Sequence, residues 1–188
     1  EKYKYSVQKR EEIRGSMGIT DQFVIGHVGN FCYQKNHYFL LDVFEEVHKK
    51  DPNTVLLLAG DGVRFEKVRQ IVAEKNLEDV VKLLGRRSDT DYLYQGMDAF
   101  LLPSNFEGLP IAGIEAQSAG LPCFMSDEIT KESKITEACY FIPLKSGAKY
   151  WAEEILDNRI ERQSAEFLDN AQQYDLANQD QELKSLIR

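Results

Sequence analysis

Ala99-Phe100-Leu101-Leu102-Pro103-Ser104-Asn105-Phe106-Glu107-Gly108-Leu109-Pro110-Ile111-Ala112-Gly113-Ile114-Glu115 reads as a strand, a loop and the start of a helix. The apolar run 99–103 has strand length. Pro110 marks the helix start, because a first helical position has no bond for the missing proline N–H to lose. Amides of a first helical turn form an anion site, and Gly108 lets the backbone approach a ligand closely. Glu107 stays in the loop, while Glu115 lies five residues into the helix, about 7 Å along its axis at ~1.5 Å per residue. One carboxylate therefore stands before the anion site and the other beyond it.

The rest of the chain repeats this strand, loop and helix unit. Phe23–Val28 is an apolar strand followed by the loop 29–35, and a helix capped by Asn36 then presents Phe39, Leu40, Val43, Phe44 and Val47 on one face until Asp51-Pro52. Strand Thr54–Ala59 leads through Gly60-Asp61-Gly62, a tight turn with positive φ tolerated at either glycine, to a helix carrying Phe65, Val68, Ile71 and Val72. Strand 80–84, the loop Gly85-Arg86-Arg87-Ser88 and a short helix with Tyr92 and Leu93 precede the central stretch. Strands 122–126 and 140–142 follow it, then helical segments from about Ser146 with Trp151, Ile155 and Leu156. Residues 6–17 read as a polar surface helix or as the end of a connection from a preceding domain, and Phe167, Leu168, Tyr174 and Leu176 are candidates to dock near the end. Near-continuous apolar strands alternating with amphipathic helices indicate an α/β fold, a Rossmann-like doubly wound parallel sheet covered on both faces. Ligands of such sheets bind outside the carboxyl ends of the strands. The loops at 29–35, 60–62, 85–88 and 103–110 converge there.

Composition narrows the function classes. A chain of 188 residues makes one generous domain, burying about 70% of its unfolded surface, and two would be cramped. The net charge of −8 argues against a broad nucleic-acid footprint but leaves room for a nucleotide held by amides and one or two cations. No apolar run approaches the ~20 residues of a membrane span, and the charged opening has no signal-peptide core. Cys32, Cys123 and Cys139 form no CxxC pair, which disfavours a disulfide framework or structural zinc and fits a cytoplasmic location. Asp89-Thr90-Asp91 invites a metal reading, but Ser88 followed by Asp91 reads better as a helix cap, and no metal site is expected. His27, His37 and His48 lack ligand spacing, and His27 reads as a packed structural histidine. Absence of a Gly-x-Gly-x-x-Gly or Walker loop weakens dehydrogenase and NTPase readings.

Two carboxylates flanking an anion site suit an extended ligand with a diphosphate in its middle and hydroxyls at each end. A nucleotide sugar is such a ligand. The segment from Pro103 to Ala116, with Gly120-Leu121-Pro122, closely resembles the retaining glycosyltransferases of the family-4 type, whose signature is Glu, seven residues, Glu. The resemblance covers residues 22–143. It implies the GT-B architecture, with this chain, residues 1–188, as a single donor-binding domain (core 22–143, helices from 146 to 188) and an acceptor domain N-terminal to it. The missing initiator Met fits a fragment of a longer polypeptide.

By the same resemblance Glu107 lies by the donor sugar, Glu115 holds the ribose, and Gly29 with Lys35 form the phosphate-side loop. Asn30 stands where the family has an Arg, and an amide lacks that charge and its paired donors. Gly85 and Arg86 match the base-binding turn, while Gly108, Leu109 and Ile111 border the diphosphate. The expected activity of the full-length protein is retaining transfer of a hexose from a nucleoside-diphosphate sugar, UDP-sugar favoured, to a glycan or lipid-linked acceptor in bacterial polysaccharide synthesis. No further cofactor is expected, the isolated domain would be inactive, and the full-length protein would associate peripherally with the inner face of the membrane. Two alternatives stay open: half of a nucleotide-sugar 2-epimerase, and a non-catalytic nucleotide-binding or partner-docking module.

Overall fold

Six short apolar runs become the strands of one sheet in the computed structural model, which describes residues 2–160. They are β1 (Phe23–Val28), β2 (Thr54–Ala59), β3 (Val81–Gly85), β4 (Ala99–Leu102), β5 (Cys123–Ser126) and β6 (Cys139–Ile142). All pairings are parallel, in the order β3-β2-β1-β4-β5-β6. The helices are α1 (Val7–Ser16), α2 (His37–Lys50), α3 (Phe65–Glu74), α4 (Thr90–Gly96), α5 (Ile111–Ser118) and α6 (Gly147–Asp157).

Because side chains alternate along a strand, each strand feeds two cores. Ile25, Leu56, Leu58, Leu101 and Phe124 pack with α2, α3 and α6, with the Trp151 side chain fully buried among them. Val24, Leu57, Phe100, Leu102 and Met125 pack on the opposite face with Ile13 of α1, Leu93 and Tyr94 of α4 and Ala116 of α5. Burial on both faces is why the strands lack polar alternation.

Helix ends differ from the sequence reading in informative ways. Asn36 does occupy the N-cap of α2, but in the left-handed region (φ 54°) with no side-chain cap bond. The tight turn before it sets that conformation, and Asn tolerates it. Pro110 is the N-cap of α5 rather than its first helical residue. Asp89, not Ser88, precedes α4, and its carboxylate is taken by Arg87 at 2.6 and 2.8 Å. The polar lead-in is not merely a surface helix. Buried Arg14 donates to the carbonyls of Gly96 (3.2 Å) and Thr20 (2.9 Å) and to Asp98 (3.1 Å), which also accepts from the Val24 amide (2.8 Å). The proposed docking residues Phe167, Leu168, Tyr174 and Leu176 lie outside the described residues.

The turns after β1, β2 and β3 interlock at the backbone. The Gly29 amide donates to Ala59 O (3.0 Å) and the Gly60 amide to Gly85 O (2.8 Å). Gly60 has φ +144°, and a Cβ there would stand 1.9 Å from Gly29 O. Gly60→Ala is therefore expected to destabilise the domain by about 1–3 kcal/mol or more, since both backbone strain and overpacking oppose it. Urea unfolding checks this, and a midpoint equal to that of the parent would contradict the interlock.

Candidate functional site

The strand order reverses at β1 and β4, whose following loops leave toward opposite faces of the sheet. Ligands of open α/β sheets occupy the crevice at such a point. Its two walls are stitched together: the Asn105 amide donates to Gln34 O (2.8 Å) and the Asn105 side chain to Tyr33 O (2.7 Å).

Lys35 and Glu107, assigned to different parts of a ligand by the sequence reading, meet across this crevice in a contact ion pair. Both are mostly buried, at 13% and 10% side-chain exposure. Glu107 Oε2 also accepts from Ser104 Oγ (3.0 Å), and Ser104 is fixed in turn because its carbonyl accepts from Ser126 Oγ (2.5 Å). The cation and the acid thus pair with one another at the reversal of strand order.

Beyond Glu107 the chain enters α5 through Pro110. Pro110 supplies no side-chain cap, and the first turn of α5 contains no acidic residue, so its amides are left for an anion. A Cβ on Gly108 would meet nothing within 4 Å, and Leu109 and Ile111 are exposed beside it. Asn30 is exposed and turns toward the second loop, its Oδ1 lying 2.3 Å from where a Gly62 side chain would begin. The Gly29 amide is spent in the sheet ladder. Gly85 ends β3 with φ +64°, and Arg86 is exposed just after it.

Glu115 is not a solvated helix carboxylate. Tyr3 donates to its Oε1 and Tyr94 to its Oε2 (3.0 Å). Burial, reinforced by Glu115, raises both phenol pKa values, keeping the hydroxyls protonated donors. Sequence reading missed these partners, and no local signal marks them. It also missed Arg64, whose guanidinium lies 5.1 Å from the Tyr33 ring and 5.0 Å from the Tyr38 ring at the crevice mouth.

Beneath the loop 29–35 lie two histidines. His27 is fully buried, with Nδ1 2.9 Å from Leu101 O, and its ring is 4.8 Å from that of His37, which stacks on Phe31 at 4.0 Å. Burial pushes His27 down to about 4 and His37 down to about 2, the latter helped by His27, Lys35 and Arg64. Both are neutral at pH 7.

Together, the parallel sheet, its helices on both faces and the crevice where the strand order reverses define a doubly wound α/β domain. The chain belongs to the family Glycosyl transferases group 1, whose model matches residues 9–174. It is 37% identical over 126 residues to the putative glycosyltransferase EpsF of Bacillus subtilis, covering 66% of this chain and 33% of that protein. It is 31% identical over 131 residues to the UDP-Gal:alpha-D-GlcNAc-diphosphoundecaprenol alpha-1,3-galactosyltransferase of Escherichia coli, covering 68% and 34%. The chain thus spans about a third of the length of these curated relatives. Among solved structures, Anabaena Alr3699/HepE in complex with UDP-glucose superposes with TM-score 0.80 at 21% identity, covering 99% of this chain and 54% of that one. The C-terminal domain of the group 1 glycosyl transferase LpcC from Francisella tularensis does so with TM-score 0.70 at 18% identity, covering 93% and 94%. The expected GT-B-type, Rossmann-like fold is the one found.

The buried histidines carry a pH dependence of defined sign. Above about pH 6.5 neither state protonates them, whereas below it the unfolded chain binds protons that the native state refuses. Their neutral burial therefore contributes full stability above pH 6.5 and loses it as pH falls toward 4, at up to about 1.4 kcal/mol per unit for each histidine. His37→Phe, which keeps the stack on Phe31, is expected to flatten the decline between pH 6.5 and 4.5. Denaturant unfolding of both proteins across that range tests it, and parallel curves would count against it.

Proposed function

We propose that the chain is the donor-binding domain of a retaining glycosyltransferase that moves a hexose from a UDP-sugar to a glycan or lipid-linked acceptor. The observation that carries this is the Lys35–Glu107 pair at the reversal of strand order, directly before the open start of α5. A diphosphate on the first-turn amides places its sugar against Glu107 and its nucleoside toward Glu115. Family membership, the E. coli relative with its UDP-Gal donor and the UDP-glucose complex of the Anabaena neighbour support the donor class. The acceptor domain lies N-terminal to residues 1–188, so this domain alone binds the donor without transferring sugar. Cytoplasmic residence with peripheral membrane contact of the full-length protein is consistent with the lipid-linked acceptor class; among the described residues no helix is long and apolar enough to cross a membrane.

In the full-length protein the sugar's anomeric carbon loses its bond to the diphosphate through an oxocarbenium-like transition state and gains one to the acceptor oxygen on the same face. Lys35 and the α5 amides stabilise the charge growing on the diphosphate, as preorganised donors do for an oxyanion. Glu107 accepts hydrogen bonds from the sugar hydroxyls, and Glu115 from those of the ribose. Gly29 shapes the floor, and Arg86 with the Gly85 turn borders the base. No metal enters this scheme. Asn30 favours a second reading, a nucleotide-binding module that does not turn its ligand over.

A thermal-shift panel of UDP-, GDP- and ADP-sugars on residues 1–188 tests the donor class, because a ligand bound only to the native state raises its stability. UDP-sugars are expected to raise the melting temperature most; no response to any of them would defeat the proposal. In the full-length protein Glu107→Gln should reduce turnover far more than affinity for bare UDP, and Asn30→Arg should tighten UDP through paired guanidinium donors. Donor that binds but is never transferred by the full-length protein would select the second reading.

A further inference from the structure

Glu115 is held by two tyrosines that differ in how firmly they are fixed. Tyr94 belongs to α4, is fully buried and meets the ring of Phe100 edge-on at 5.9 Å. Its hydroxyl is 3.0 Å from Glu115 Oε2 and 3.3 Å from Ala112 O, so its single proton goes to the nearer, charged acceptor. Tyr3 instead lies ahead of α1 on a short segment laid across α4. That segment is held by the Ser6 amide on Gln95 Oε1 (3.0 Å), by Gln95 Nε2 on Tyr3 O (3.4 Å), and by Lys2 3.8 Å from Asp91. Tyr3 is half-buried and its neighbours Lys2 and Lys4 are exposed.

We propose that the two hydroxyls act on Glu115 in different ways. Tyr94 positions the carboxylate, while Tyr3 occupies the place of a ribose hydroxyl and is exchanged for it when a nucleoside diphosphate binds. The proposal rests on the ribose reading of Glu115 above. Residues 2–5 are then a strap over the nucleoside end of the crevice. Exchange replaces one hydroxyl-to-carboxylate bond by another of the same kind, so Glu115 Oε1 keeps a donor while Tyr94 stays on Oε2, and no oxygen of this partly buried carboxylate is left unpaired. A ligand lacking ribose hydroxyls offers no such replacement. Diphosphate alone reaches the start of α5 and leaves Tyr3 where it is. The strap therefore discriminates against nucleotides whose sugar lacks those hydroxyls, and it lowers affinity for every ligand that must displace it.

Calorimetric titration of the full-length protein with UDP, 2′,3′-dideoxy-UDP and pyrophosphate tests this in the parent, Tyr3→Phe, Tyr94→Phe and Glu115→Gln. Tyr3→Phe is expected to bind UDP about three- to tenfold tighter and pyrophosphate unchanged, and Tyr94→Phe to bind UDP weaker by a similar factor. A merely structural role would not give opposite signs confined to the nucleoside-bearing ligand. UDP affinity unchanged or reduced in Tyr3→Phe overturns the exchange, and this arm decides even if Tyr94→Phe fails to fold. A parent that does not distinguish UDP from its dideoxy analogue removes the ribose reading and the strap with it. Discrimination that is present in the parent and lost in Glu115→Gln, with no gain in Tyr3→Phe, defeats the strap alone.

Discussion

Parallel strands need crossover helices, and those crossovers run in one hand. That constraint makes the crevice. From β1 the chain passes to α2 on one face, and from β4 it passes to α5 on the other, although the two strands are neighbours. No helix can cover the gap between the two departing loops. The groups assigned to the diphosphate and sugar lie on the loops and helix start opened by this divergence, and the two cores behind it hold the strands in register.

Within the gap, electrostatics decides which side chains meet. Lys35 and Glu107 are both mostly buried, and each is the other's partner there. Ser104 takes the second oxygen of Glu107. The same logic governs Glu115 and its tyrosines. A ligand entering this crevice thus exchanges partners with groups already satisfied, which costs less than ordering bare charges and makes selectivity a matter of which partners it replaces. Asn30, neutral and turned toward Gly62, adds no positive charge to the loop 29–35.

The sheet was legible because strands buried on both faces read as unbroken apolar runs, and the run 99–103 followed by Gly108-Leu109-Pro110 placed the central loop and helix. Glu107, Glu115 and Lys35 were singled out in the sequence through spacing and resemblance. Their partners were not. Lys35 and Glu107 are 72 residues apart, and Tyr3 and Glu115 are 112 apart, so only the tertiary fold brings them together. Cap chemistry misled where a stronger local interaction won: Arg87 claims Asp89, and a left-handed turn uses the backbone of Asn36 instead of its side chain. Arg14 looked like part of a polar surface because nothing in its own segment reveals the carbonyls at 96, 20 and 22 that it satisfies.

The interlocked glycine turns divide the crevice into a part that can change by substitution and a part that cannot. Gly29, Gly60 and Gly85 touch through backbone atoms, so any side chain or inserted residue at Gly60 shifts the ends of neighbouring strands together. The floor is in effect a single casting. Arg86, Asn30 and residues 2–5 lie at the rim of that floor, with exposed side chains at Arg86, Asn30, Lys2 and Lys4. Changing what the crevice recognises is thus a problem of rim side chains, and libraries aimed at these positions leave both cores and the start of α5 untouched.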